Sequence, residues 1–279
     1  MKIDKTYNVV SLHPYTDCNL DCPFCYKKKG QGKEKPEKFW FSLIPYIKKL
    51  TDQVAFGGGE PFMRMDFVKK FARECKKEGL IFNVTSNGKL LMPLEDKDLQ
   101  DVLRDVTMVS LSFDYYKIKG LQDLADYLKL VERIKRLTSC QVGCNFLVND
   151  VYFKDRDFEH IVDKLFLNGI DRVFALCPKN VKCPKILENK DRYFDLTRKY
   201  KMFFVDDLTK EILEQGYDNW KTPCHFCKDL VSINEDGFVT GCSFDDSSKA
   251  ILKIVKPEDL LKIKNIYVKG RFLCPYLTK

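Results

Sequence analysis

An α/β fold built on a parallel sheet and followed by a small cysteine-rich α+β extension is predicted from three observations. Short apolar runs alternate with amphipathic stretches over the first two thirds of the chain, that rhythm stops after Leu176, and cysteines gather again near the C-terminal end. Candidate strands cover 7–12, 53–56, 81–85, 107–113, 141–148 and 172–176. Between them lie 66–77, 121–137 and 158–167, with apolar residues spaced by three and four as on one face of a helix. Strand-then-helix units of this kind form either an open (β/α) barrel or a doubly wound sheet.

Beyond Leu176, a cysteine-bearing segment leads into polar helical stretches at 191–199 and 208–215. From Trp220 the pattern is short strands around a Glu-Asp-Gly turn, with Cys224, Cys227, Cys242 and Cys274 interspersed. No internal repeat and no low-complexity segment is visible.

Composition narrows the class. The chain has 279 residues and a formal charge of +8, with lysine and arginine scattered in short runs. Such an excess marks solvated surface and is compatible with an acidic partner. No basic stripe interleaved with aromatics appears, so nucleic acid is not an expected partner. No stretch approaches the ~20 apolar residues of a membrane helix, and the first ten residues show no secretory pattern. The expectation is a soluble cytoplasmic protein without a membrane partner, in which twelve cysteines serve metal or thiol chemistry.

The densest group is DCNLDCPFCY, residues 17–26. Cys18, Cys22 and Cys25 follow the first expected strand, and in α/β sheets the loop at that end is where ligands bind. A structural zinc site needs a fourth ligand. Asp17, Asn19 and Asp21 are poor partners for thiolate-rich zinc, and His13 lies back in the strand. A 4Fe-4S cluster on three thiolates leaves one iron open to a small molecule. A zinc knuckle or incidental buried thiols are the plainer alternatives. FGGGEP, residues 56–61, follows the second strand; its glycines permit close backbone approach and its carboxylate can accept from an ammonium group.

Together these two motifs resemble the radical S-adenosylmethionine (SAM) enzymes. The resemblance implies a partial (β/α)6 TIM-like barrel over 1–190, a helical linker over 191–219 and an extension over 220–279. It further implies that Cys18, Cys22 and Cys25 hold a 4Fe-4S cluster whose open iron is chelated by SAM. Phe24 would lie near the adenine, and Gly58, Gly59, Glu60 and Pro61 would hold the SAM amino group. Small polar residues at later strand ends, Ser86, Asn87, Ser112 and Asn145, resemble those contacting the SAM carboxylate and ribose; ordinary strand-end capping is the competing explanation. After Asp114 the chain reads YYKIKG, without the glycine common at that place in the family.

The C-terminal segment PCHFCKDLVSINEDGFVTGC reads as a β-hairpin with thiols at both ends, reversing at 234–237. Four thiolates close around zinc or an iron–sulfur cluster, and spacing alone leaves both open. The order Cys227, Gly237, Cys242 resembles the opening of SPASM and twitch extensions, which implies one auxiliary 4Fe-4S cluster on Cys224, Cys227, Cys242 and Cys274. The CxxC-then-distant-cysteine order also resembles the molybdopterin-precursor cyclases, whose three-thiolate auxiliary cluster binds a nucleotide. Cys177, ending the sixth strand, is a candidate thiol for catalysis or auxiliary ligation, with simple packing as the alternative. Cys75, Cys140 and Cys144 read as core residues.

The implied function is reductive cleavage of SAM to a 5′-deoxyadenosyl radical that abstracts hydrogen from a peptide or protein side chain, or from a small molecule. A flavodoxin or ferredoxin would supply the electron. The alternatives are a cyclase-like enzyme with a nucleotide at an open auxiliary cluster, and a non-catalytic iron–sulfur or zinc protein serving electron transfer or binding.

Overall fold

A computed structural model describes residues 6–27, 32–154, 156–178, 182–217 and 229–266. In chain order the elements are β1 (Val9–Leu12), α1 (Glu37–Lys48), β2 (Gln53–Phe56), α2 (Met65–Lys77), β3 (Ile81–Ser86), α3 (Asp96–Leu103), β4 (Met108–Phe113), α4 (Leu121–Leu137) and β5 (Gln141–Leu147). There follow α5 (Asp157–Leu167), β6 (Arg172–Leu176), α6 (Pro184–Glu188), α7 (Lys190–Lys199), β7 (Phe203–Val205), α8 (Asp207–Gln215), β8 (Leu230–Ile233), β9 (Phe238–Thr240) and β10 (Leu252–Lys253). Strands and helices alternate as expected, and the pairing is mostly parallel.

The chain divides into two compact units. The first comprises Met1–Ser86, Asp101–Thr107 and His225–Gly270. In it β1 pairs in parallel with both β2 and β8, β2 pairs with β3, and β8, β9 and β10 continue as antiparallel neighbours. Because side chains alternate across a strand, register separates two faces. Val10, Val54 and Phe82 form one row, and Leu12, Phe56 and Val84 the next, all buried. Phe56, Phe67, Phe71 and Phe82 pack with ring centroids 5.5 to 5.8 Å apart, joining this face to α2. The opposite face carries the small and polar row Ser232, Ser11, Ala55 and Asn83.

The second unit comprises Asn87–Gln100, Met108–Cys224 and Arg271–Lys279, with β4, β5, β6 and β7 all parallel. Its apolar face holds Leu111, Cys144, Val173 and Phe203 in one row, with Phe113, Phe146 and Ala175 in the next. Ser112 and Asn145 are register partners on the other face.

Several expectations need correction. The first strand begins at Val9 and not at residue 7, because Tyr7 and Asn8 donate to Leu50 and Asp229 carbonyls outside the β1–β2 ladder. The third strand runs on to Ser86, the fourth starts at Met108 and the fifth ends at Leu147. Helix α1 was not expected: Pro45 lies inside it, where proline removes a backbone donor. Trp40, Leu43, Ile44 and Ile47 are nevertheless buried along one face, and that burial outweighs the lost bond. Residues 191–219, expected as a helical linker, also contribute β7, which extends the parallel pairing from β6. The expected C-terminal hairpin is present as β8–β9, and β8 pairs directly with β1. No helix among the described residues is long and apolar enough to cross a membrane.

Candidate functional site

The backbone leaving β1 runs against the glycine turn leaving β2. Gly57 N donates to Leu12 O at 2.9 Å, Gly59 N to Tyr15 O at 2.8 Å and Glu60 N to Asp17 O at 2.7 Å. This pairing explains the glycines. A Cβ on Gly59 would lie 1.8 Å from Asp17 O, and one on Gly58, whose φ is +114°, 2.5 Å from Tyr15 O. At Gly57 the nearest atom to such a carbon would be 3.7 Å away, so that position tolerates a side chain.

Glu60 is buried and Pro61 opens a short 3-10 helix. Its carboxylate Oε1 accepts from Phe62 N at 3.1 Å and from Ser86 Oγ at 2.8 Å, so the end of β3 fixes the acid of the turn. The helix ends at Arg64, whose guanidinium lies 3.1 Å from Asp17 Oδ2 and 2.9 Å from Glu34 Oε2. It also stacks over the Tyr15 ring at 4.0 Å, and Glu34 Oε1 accepts from Thr16 N. One residue thus joins the chain just before Cys18 to the chain beyond Cys25.

Within that neck, Cys25 N donates to Cys22 O at 3.0 Å and Leu20 N to Cys18 Sγ at 3.4 Å. Cys18 and Cys22 are half-buried, Cys25 is exposed, and none is in a disulfide. Phe24 is half-buried between the last two. Among the described residues no three His, Cys, Asp or Glu side chains already stand at metal-binding distance of one another. The donor set still fits a three-thiolate cluster: three cysteines outside any disulfide share one loop, and the Asp17 carboxylate is turned to Arg64.

His13 is buried, with Nε2 2.9 Å from Ser11 Oγ and Nδ1 3.5 Å from Tyr26 Oη. Burial, reinforced by the Lys27 charge, lowers its pKa to about 3, so the imidazole is neutral near pH 7. Tyr26 stacks on Phe244 with centroids 4.0 Å apart, which brings the segment after Cys242 onto the end of the cysteine loop. Cys242 itself is half-buried, and its carbonyl accepts from Asp245 N and Thr240 Oγ1, both at 3.0 Å. Cys224, Cys227 and Cys274 lie outside the described residues.

In the second unit, Asn87 uses Oδ1 to accept from Lys89 N at 2.9 Å, ahead of Gly88 with φ +77°. Ser112 and Asn145 are half-buried. Cys177 is buried at the end of β6; its N donates to Thr209 Oγ1 at 2.7 Å and its Sγ is 3.6 Å from Tyr217 Oη. That hydroxyl also accepts from Cys183 N at 3.0 Å. Burial pushes the Cys183 thiol up to about 11, and Cys140 and Cys144 to about 12, while Cys75 is likewise raised; these thiols stay protonated.

Sequence reasoning missed Arg64, Glu34 and Asn83. Asn83 Oδ1 is buried without a hydrogen-bond partner among the described residues, on the polar face of β3. Alternation within IFNVTS was the signal that could have found it.

Fold and site together define an α/β protein with a three-cysteine loop braced by an acidic glycine turn. Residues 12–165 match the family model described as the radical SAM superfamily. The chain belongs to that superfamily. It is 26% identical to a putative glycyl-radical enzyme activating enzyme of Methanocaldococcus jannaschii over 152 residues, 52% of this chain and 63% of the relative. It is 24% identical to the GTP 3′,8-cyclase of Haemophilus influenzae over 176 residues, 57% of this chain and 50% of that one. The fold is similar to that of SuiB from Streptococcus suis, solved with its precursor peptide SuiA, at a TM-score of 0.64 and 17% identity, covering 86% of this chain and 60% of SuiB. The chain therefore spans less than two thirds of each of these relatives.

Proposed function

We propose that the chain binds a 4Fe-4S cluster through Cys18, Cys22 and Cys25 and uses it to cleave SAM and modify a peptide or protein. When bound, the cluster would supply the electron that breaks the sulfonium bond, leaving a 5′-deoxyadenosyl radical to take a hydrogen atom from the substrate. The chain's own part is to bind, orient and shield. The observation that carries this reading is the carboxylate of Glu60, buried beside the cysteine loop and held by Ser86 and the Phe62 amide. An oriented buried carboxylate suits the ammonium of an amino acid. Gly58, Gly59 and Pro61 shape that turn, and Phe24 would face the adenine. Ser86 acts through Glu60, while Asn87, Ser112 and Asn145 are proposed to face the carboxylate and ribose.

We also propose one auxiliary 4Fe-4S cluster on Cys224, Cys227, Cys242 and Cys274 in a twitch-like extension, and Cys177 as a thiol acting near the substrate. A flavodoxin or ferredoxin would donate electrons. The peptide substrate is supported by the fold shared with a peptide-bound neighbour, the activating-enzyme relative and the basic charge. A nucleotide substrate is the second reading, favoured by the cyclase relative. The test is anaerobic reconstitution followed by dithionite and SAM: 5′-deoxyadenosine forms under the proposal, and intact clusters without it leave an electron carrier instead. Cys177→Ala with unchanged iron and unchanged turnover would remove Cys177 from the scheme.

A further inference from the structure

The residues directly after Cys25 are held by the turn of the C-terminal hairpin. Lys27 Nζ lies 3.0 Å from Glu235 Oε2, and both side chains are only 11% exposed. Glu235 belongs to the reversal between β8 and β9, and its carbonyl accepts from Lys35 N at 2.9 Å. Gly32, with φ +110°, passes so close that a Cβ there would lie 2.8 Å from Glu235 Cγ. Lys33 N also donates to Asp236 Oδ1, and Tyr26 stacks on Phe244 beyond the hairpin. Tyr26, Lys27, Gly32, Lys33 and Lys35 are therefore all seated on the hairpin or the segment beyond it.

A nearly buried ion pair is a poor way to gain stability, because desolvating both charges offsets most of their attraction. Its electrical effect is larger where water is excluded. Lys27 stands two residues from Cys25, and Glu235 is the carboxylate paired with it. The reduction potential of an iron–sulfur cluster depends on the net charge around it and on solvent exposure. We propose that the Lys27–Glu235 pair is a charge-balancing and positioning element through which the C-terminal hairpin sets the reduction potential of a cluster held by Cys18, Cys22 and Cys25. This rests on reading that trio as cluster ligands. No bond is made or broken in the pair; the cluster takes one electron, passing from the 2+ to the 1+ state, from a low-potential one-electron donor.

The test is a redox titration of the anaerobically reconstituted full chain, with dithionite as reductant, following the paramagnetic signal that changes when SAM is added. Glu235→Gln leaves a positive charge unbalanced and is expected to raise the midpoint potential. Lys27→Met leaves a negative charge and is expected to lower it, and the double variant is expected to return close to wild type. Intact clusters whose potentials shift in the same direction in both single variants, or in neither, overturn the inference while leaving the cluster assignment standing. A wild-type chain that loads no iron, or whose signal ignores SAM, overturns the assignment and the inference together. Where a single variant loads poorly, the swap Lys27→Glu with Glu235→Lys decides: recovered loading supports the pair, and continued loss overturns it. Thermal unfolding of the metal-free variants separates these outcomes from misfolding.

Discussion

Ser86 Oγ donates to Glu60 Oε1 at 2.8 Å, so the hydroxyl ending β3 orients the carboxylate of the turn that follows β2. Hydrogen bonds to a charged group contribute about 1.5–3 kcal/mol. Removing this one in Ser86→Ala is expected to weaken SAM binding roughly tenfold or more, with iron content unchanged, and Ser86→Thr should restore most of it. Equilibrium binding of SAM to the reconstituted protein checks this. Equal affinity in the alanine variant would show that Glu60 does not depend on Ser86.

The glycine turn makes a position-specific prediction. Gly59→Ala places a methyl 1.8 Å from Asp17 O, which only a backbone shift can relieve. The expected result is destabilisation of roughly 4 kcal/mol or more and loss of iron from the loop that Asp17 introduces. Gly57→Ala, with its nearest neighbour at 3.7 Å, should fold and load iron like wild type. Denaturant unfolding and iron analysis on both variants separate the two cases.

Arg64 gives a prediction in which stability and loading part company. Its pairs with Asp17 and Glu34 are partly exposed, and such pairs contribute about 0–1 kcal/mol. Arg64→Met should therefore barely move the melting temperature. It should speed proteolytic cleavage within 18–33 of the metal-free chain and lower iron retention, because both ends of the loop lose their shared partner. Unchanged cleavage kinetics would show that the neck closes without it.

His13 predicts a pH dependence. Its folded pKa is about 3 against an ordinary 6.5, so below that ordinary value the unfolded chain binds a proton that the folded chain refuses. The contribution of a neutral His13 is fully present above pH 6.5 and is lost as pH falls toward 3, with a slope no steeper than about 1.4 kcal/mol per pH unit. In His13→Gln, unfolding of the metal-free protein should lose part of its acid sensitivity over that window. An identical pH profile would mean that other groups govern acid unfolding.

How much was legible in the sequence follows from what each feature depends on. The strand cores at 53–56 and 172–176 and the helix at 121–137 depend on local periodicity, and they appear with the expected limits. The spacing of Cys18, Cys22 and Cys25 and the FGGGEP turn are likewise local, and the family match covers both. What could not be read were relations across long separations. Nothing near Arg64 announces that it reaches Glu34, nothing near Lys27 announces Glu235, and the pairing of β8 with β1 joins opposite ends of the chain. Helix α1 was hidden for a different reason, since Pro45 contradicts local helix propensity while tertiary burial of Trp40 and Leu43 sustains it.

The central claim is that Cys18, Cys22 and Cys25 hold a cluster open to SAM. Electron paramagnetic resonance of the dithionite-reduced, anaerobically reconstituted chain, before and after SAM is added, tests it most directly. A cluster signal that shifts with SAM in wild type and disappears in the Cys18/Cys22/Cys25 triple alanine variant is the predicted result. Zinc bound at the trio, or a cluster signal indifferent to SAM, would contradict it.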